Sequence, residues 1–287
     1  MGFGHWIMRR VSDFSSAWVS GLLAIFLLSV APVQASIPSD HSAAVCQKPV
    51  YLSFDTGHMG VAPLIAKVLK QHQVPVTFFV ANEKTQEGDG TLGTHWAAWW
   101  KERGAENHDF ASHTFDHAYW RADLEDKRFK IRPSAGEHMG QDLNWGATDY
   151  CDNLKKASKR IENLTGRASL PLFRAPGGKT SPALLQAAAS CGYAHVAWAP
   201  AGFLGDELSS QTHSNASLLK NALKNIRSGD ILVAHLGIWS RQDPWAPAVL
   251  EPLIVGLKEK GFCFASLRQH PQYAKLLADI PKTPKLP

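Results

Sequence analysis

From residue 50 onward, short β-branched and aromatic runs alternate with stretches of helical periodicity. Residues 50–54, 76–80, 109–111, 172–173, 194–198, 229–234 and 262–265 read as strands. Between them, 61–72, 94–103, 147–165, 181–190, 215–227 and 246–260 read as helices. Leu64, Ile65, Val68 and Leu69 share one face of the first helix, and Gly166 and Gly261 stand as stops. Strand–helix alternation at this length predicts an α/β fold with a parallel sheet of about seven strands. Spacing alone leaves open whether the sheet closes into a barrel or stays doubly wound. No Gly-rich phosphate loop follows the first strand, which weighs against dinucleotide binding. Residues 118–146 are polar and without period, and they read as a long irregular connection of the kind that carries function.

The first 35 residues have a different character. Arg9 and Arg10 precede an apolar stretch at 22–30, bracketed by Gly21 and Pro32, and Val33-Gln34-Ala35 puts tolerated residues at −3 and −1 of a cleavage point. This is the layout of a secretory signal peptide. An uncleaved anchor is the alternative, but the apolar stretch is short of the roughly 20 residues a membrane span needs. The expectation is therefore an exported domain over 36–287, periplasmic or extracellular, with no stable membrane span after cleavage.

Export changes the meaning of Cys46, Cys151, Cys191 and Cys263. Two disulfides are permitted in an oxidising compartment, and three pairings remain open. No C-x-x-C pair exists, which disfavours thiol-redox or Cys-zinc chemistry. Without the leader, 28 basic side chains face 24 acidic ones. So mild an excess gives no support to nucleic-acid binding.

Polar residues gather where strands give way to loops. Asp55 follows the first strand, His113 and His117 the third, Arg174 the fourth, and His235 the sixth. In a parallel α/β barrel that carboxyl edge is where active sites are built. His113 and His117 stand at i, i+4, and on a helical turn both rings would point the same way, as two metal ligands require. Asp109 and Asp116 nearby strengthen that reading. Asp55, between an apolar strand and a Gly turn, suits a general base. Arg174 could hold it through a bidentate pair, and His235 could act as a general acid.

The ordered motifs Ser53-Phe-Asp55-Thr-Gly, Val76-Thr77-Phe-Phe-Val, Asn107-His-Asp-Phe-Ala-Ser-His113-Thr-Phe-Asp-His117, Phe173-Arg174-Ala-Pro176-Gly and Gly229-Asp-Ile-Leu-Val-Ala-His235 resemble those of polysaccharide deacetylases with the NodB-homology domain, carbohydrate esterase family 4. The resemblance spans roughly 48–268. It implies a distorted (β/α) barrel and metal-dependent removal of acetyl groups from an N-acetylated glycan. It also implies roles: Asp55 as base on a water activated by the ion, His113 and His117 as ligands to zinc or a similar divalent ion, Arg174 orienting Asp55, and His235 protonating the leaving amine.

Two departures stand out. Thr56 occupies the place of the family's aspartate ligand, and a hydroxyl is a poor zinc ligand. Asp55, His58, Asp109 or Asp116 could complete the shell, or no metal binds. The acidic partner of the catalytic histidine is not in its usual place, and Asp206 is the nearest candidate. Trp239, four residues past His235, is expected to stack on a sugar face, with Pro176 beside it in substrate binding. Trp96, Trp99 and Trp100 have the spacing of core residues. The sequence thus predicts an exported deacetylase. A metal-free hydrolase of another C–N bond and an inactive glycan-binding relative are the alternatives.

Overall fold

A computed structural model describes residues 46–281. The proposed leader at 1–35 lies outside them. No helix among the described residues is long and apolar enough to cross a membrane.

The main sheet is built from β1 (Pro49–Asp55), β2 (Thr77–Val80), β3 (Asp109–Ser112), β7 (Leu172–Phe173), β8 (Ala194–His195), β9 (Ile231–His235) and β10 (Cys263–Phe264). Its order is β10-β1-β2-β3-β7-β8, with β9 also on β1, and every pairing is parallel. The sheet curls into a distorted half-barrel. Between β8 and β9 the loop 199–204 bridges the gap, through Ala199 N–H to Ile231 C=O (3.1 Å) and Leu204 N–H to Val233 C=O (3.2 Å). The barrel alternative is the one the chain adopts.

Period-two alternation sorts the side chains. Val50, Leu52 and Phe54 of β1 pack outward in one apolar cluster with Ile65 and Leu69 of α1 (Ala62–His72), Leu218 of α5 (Asn215–Asn225), and Leu253 and Leu257 of α6 (Leu250–Glu259). Tyr51 instead joins Phe79, Ala111, Val196 and Ile231 in a second cluster. Trp100 of α2 (Ala97–Ala105) is fully buried against Phe78 and Phe110, so the 96–100 tryptophans are core residues. The longest helix, α3 (Ala147–Thr165), begins where the Asp149 carboxylate accepts the Gly146 N–H (2.7 Å). It ends at Gly166, whose φ of 71° is the left-handed conformation glycine tolerates best.

One expectation is corrected. Residues 118–146 are not an irregular loop. They hold a three-stranded antiparallel sheet of β4 (Ala118–Asp123), β5 (Phe129–Pro133) and β6 (Leu143–Trp145). Only alternate residues of β5 are apolar. Phe129 and Ile131 bury against Tyr150 and Leu154 of α3, while Lys130 and Arg132 face Asp142 at 2.9 and 3.6 Å. The charged outer face masks the strand pattern in a reading that weighs overall polarity.

Of the three pairings, the fold selects Cys46–Cys263 and Cys151–Cys191. The first ties the segment before β1 to β10 across 217 residues. The second ties α3 to the end of α4 (Pro182–Ser190) across 40. Chain-entropy estimates for the shorter loop come to about 4 kcal/mol. Cys151→Ser/Cys191→Ser is therefore expected to lower the unfolding free energy in urea by ~2–4 kcal/mol. An unchanged midpoint would show that this bridge does not constrain the chain.

Candidate active site

Asp55 and His235 are the last residues of β1 and β9, and the parallel register sets them directly side by side. On the other flank of β1, Phe79 pairs with Asp55. His113 follows the end of β3, its N–H bonded to Val80 C=O (2.8 Å), and Arg174 follows β7, its N–H bonded to Ser112 C=O (3.0 Å). Parallel pairing thus carries four side chains from distant segments to one sheet edge.

Arg174 is wholly buried inside the barrel. Its Nη1 donates to Asp55 Oδ1 (2.6 Å), Nη2 to Ser53 Oγ (2.9 Å), and Nε to Val196 C=O (3.2 Å). Its guanidinium lies 4.1 Å from the Phe79 ring centroid. One fork therefore spans a carboxylate and a hydroxyl on the inward face of β1, rather than both oxygens of Asp55. Burial opposes charge on Asp55, but Arg174, His113 and His235 outweigh it and hold the carboxyl below its ordinary pKa. Asp55 Oδ2 stays clear of the arginine and faces His113 Nε2 at 3.6 Å.

His113 and His117 come together without a helix. Thr114 and His117 take positive φ (59° and 47°) in a tight turn, closed by Ala118 N–H to Thr114 Oγ1 (2.7 Å). Asp116 and Asn153 brace it from outside: Asp116 N–H donates to Asn153 Oδ1 (3.1 Å), and Asn153 Nδ2 donates to Asp116 Oδ2 (2.6 Å). The turn brings the two Nε2 atoms within 3.2 Å of each other. His113 Nδ1 donates to Arg174 C=O (2.8 Å), and His117 Nδ1 pairs with Ser134 Oγ (2.5 Å). Burial, with His117 adding to it, pushes His113 down to about 4 against the pull of Asp55 and Glu83, so it is neutral at pH 7. The contact is a hydrogen bond when His117 carries its proton on Nε2; with that proton on Nδ1, two Nε2 lone pairs face each other and suit a shared cation. This donor set fits a divalent ion, although no group of three His, Cys, Asp or Glu stands preassembled among the described residues.

The other suggested ligands lie elsewhere. Asp109, at the opposite end of β3, bonds Arg268 (2.8 Å) and Ser266. Asp116 is spent on Asn153. His58 Nδ1 accepts the Gly60 N–H (2.9 Å), with its ring against Trp239.

His235 does have an acidic partner in Asp206. Its Nδ1 lies 3.0 and 3.2 Å from the two carboxylate oxygens, and its backbone N–H donates to Oδ2 (2.6 Å). Burial disfavours the imidazolium, but Asp206, then Asp55 and Glu207, raise His235 to about 9. A general acid must be protonated, so activity should fall as pH rises through about 9. Asp206→Asn should move that basic limb down while leaving KM nearly unchanged; a pH profile of kcat/KM checks it. An unmoved limb would separate His235 from the acid role.

These groups open onto a cavity of about 380 Å³, lined also by Glu83, Tyr119, Trp198 and Trp239. Trp239 is 61% exposed at its rim. Pro176 is buried, and its neighbour Gly177 forms the wall. Glu83 went unnoticed in the sequence. It stands three residues past the end of β2, on the same carboxyl edge, and that position was its only signal.

A parallel half-barrel with an ionised carboxylate and a protonated imidazole on adjacent strand ends provides the base and the acid that hydrolysis needs. The polysaccharide deacetylase family model matches residues 42–196. The chitooligosaccharide deacetylase of Azorhizobium caulinodans is 23% identical over 231 residues, covering 77% of this chain and 93% of its own length. Among solved structures, the Bc1960 peptidoglycan N-acetylglucosamine deacetylase superposes with TM-score 0.56 at 22% identity, covering 78% of this chain and 88% of that one. BA3943, described as a family 4 carbohydrate esterase pseudoenzyme from Bacillus anthracis, superposes with TM-score 0.55 at 18% identity, covering 78% and 65%. The chain belongs to the polysaccharide deacetylase family.

Proposed function

We propose that this protein removes acetyl groups from the amide nitrogen of an N-acetylated glycan, outside the cytoplasm and with a divalent ion, zinc or similar. One observation carries the reading: a base and an acid, each held by its own buried partner, end neighbouring strands across one cavity. Two disulfides support an oxidising compartment, periplasmic or extracellular, as the leader at 1–35 does. Exposed Trp239 at the cavity rim offers an apolar face to a sugar ring.

Asp55 Oδ2 accepts the proton of a water as its oxygen attacks the amide carbonyl carbon. Arg174 holds Oδ1, so the carboxylate keeps both its charge and its aim. His113 and His117 would hold the ion, which when bound polarises the carbonyl and acidifies water. When the carbon–nitrogen bond breaks, the electron pair goes to nitrogen and His235 supplies its proton, because an unprotonated amine leaves poorly. Acetate and the free amino sugar are the products.

Acetate release from N-acetylglucosamine oligomers and from peptidoglycan, with Asp55→Asn as the blank, tests this. Release no faster than the blank on every substrate would overturn it, and sugar binding without turnover would select a glycan-binding relative. Thr56 in place of an aspartate ligand, with no preassembled three-ligand group among the described residues, motivates a second reading, metal-free hydrolysis of another C–N bond. Full turnover after chelation would select that one.

A further inference from the structure

We infer that Glu83 completes the metal shell of this chain, with Thr56 as the residue that positions it. The inference rests on the metal-dependent reading above.

The Glu83 carboxylate lines the cavity beside Asp55, His113 and His117. Its Oε1 lies 3.7 Å from His117 Nδ1. Of the four carboxylates and imidazoles suggested by sequence, Asp109, Asp116 and His58 are engaged elsewhere, and Asp55 is held by Arg174. Asp55 Oδ2 also faces the pair, 3.6 Å from His113 Nε2, but the mechanism above uses it as the base; Glu83 has no such role and lines the cavity beside the histidines.

Position 56 explains how it is held. The Thr56 hydroxyl accepts the Ala81 N–H (3.0 Å), so its own proton is free to donate, and it donates to Glu83 Oε2 (2.6 Å). One carboxylate oxygen is thereby pinned, and the other lies beside the His117 ring. Hydroxyl and carboxylate come from neighbouring strand ends, β1 and β2, and Thr56 N–H is itself tied to Phe79 C=O (3.1 Å). A threonine that cannot ligate zinc well can still orient a glutamate that does. Two neutral imidazoles and one carboxylate also form a familiar zinc donor set that leaves a position for substrate or water.

Zinc affinity of the purified full chain, by titration calorimetry, together with the visible spectrum of its cobalt form, tests this apart from turnover. Glu83→Gln, nearly isosteric, should weaken zinc binding by ~100-fold or more and alter the cobalt spectrum. Thr56→Val should weaken it by ~10–100-fold. Thr56→Asp/Glu83→Gln should recover most of the lost affinity, which a misfolded Glu83→Gln protein could not do. Glu83→Gln binding within about threefold of wild type, while His113→Ala abolishes binding, would overturn the Glu83 assignment and leave the deacetylase reading standing. A wild-type chain that binds no zinc or cobalt yet hydrolyses its substrate in chelator would overturn both the assignment and the metal-dependent reading.

Discussion

Asp55→Asn is expected to lower kcat by ~10²–10⁴-fold with KM little changed. The asparagine carbonyl can still accept from Arg174 Nη1, and its size fits the same buried slot at the end of β1. It cannot take a proton from the attacking water. The loss therefore falls on an interaction made in the transition state, not on substrate binding. Steady-state acetate release at saturating substrate measures the effect. A variant within about tenfold of wild type would remove Asp55 from the base role, whatever its place in the fold.

The second large effect concerns Arg174. Arg174→Leu should cost ~3–5 kcal/mol of stability, because it leaves the buried Asp55 carboxylate without a counter-charge. It also strands Ser53 Oγ and Val196 C=O and strips the stacking from Phe79. Urea unfolding of the two single variants and Asp55→Asn/Arg174→Leu tests the origin of the loss. If the charge pair dominates, the double variant is more stable than the sum of the singles predicts. Additivity within about 0.5 kcal/mol would mean the two groups are energetically independent. Arg174→Lys should fail as well, since one ammonium cannot reach three acceptors in a plane. The sign with pH follows from the depressed pKa of Asp55. Its contribution is present above the unfolded carboxyl value, about 4, and is lost as pH falls through the folded value.

The sites differ in how visible they were along the chain. Asp55, His113, Arg174 and His235 each follow an apolar run, and a strand end is readable from local pattern. Asp206 was visible only as a candidate, because it sits in a loop after β8 and meets His235 through folding. Glu83 was invisible for the same reason, lying beyond the last strand residue with no pattern to announce it. The small sheet at 118–145 was missed where charged residues alternate with Phe129 and Ile131.

By itself the sequence determined the α/β class and the polar residues of the carboxyl edge, because these depend on local periodicity and residue type. Only the tertiary structure decided the rest. Closure into a barrel, the pairings Cys46–Cys263 and Cys151–Cys191, the Asp206–His235 pair and the meeting of Thr56 with Glu83 all join segments far apart in sequence. Such contacts are selected by how the helices pack the sheet and by which buried polar groups find partners, and neither is written in any single stretch of residues.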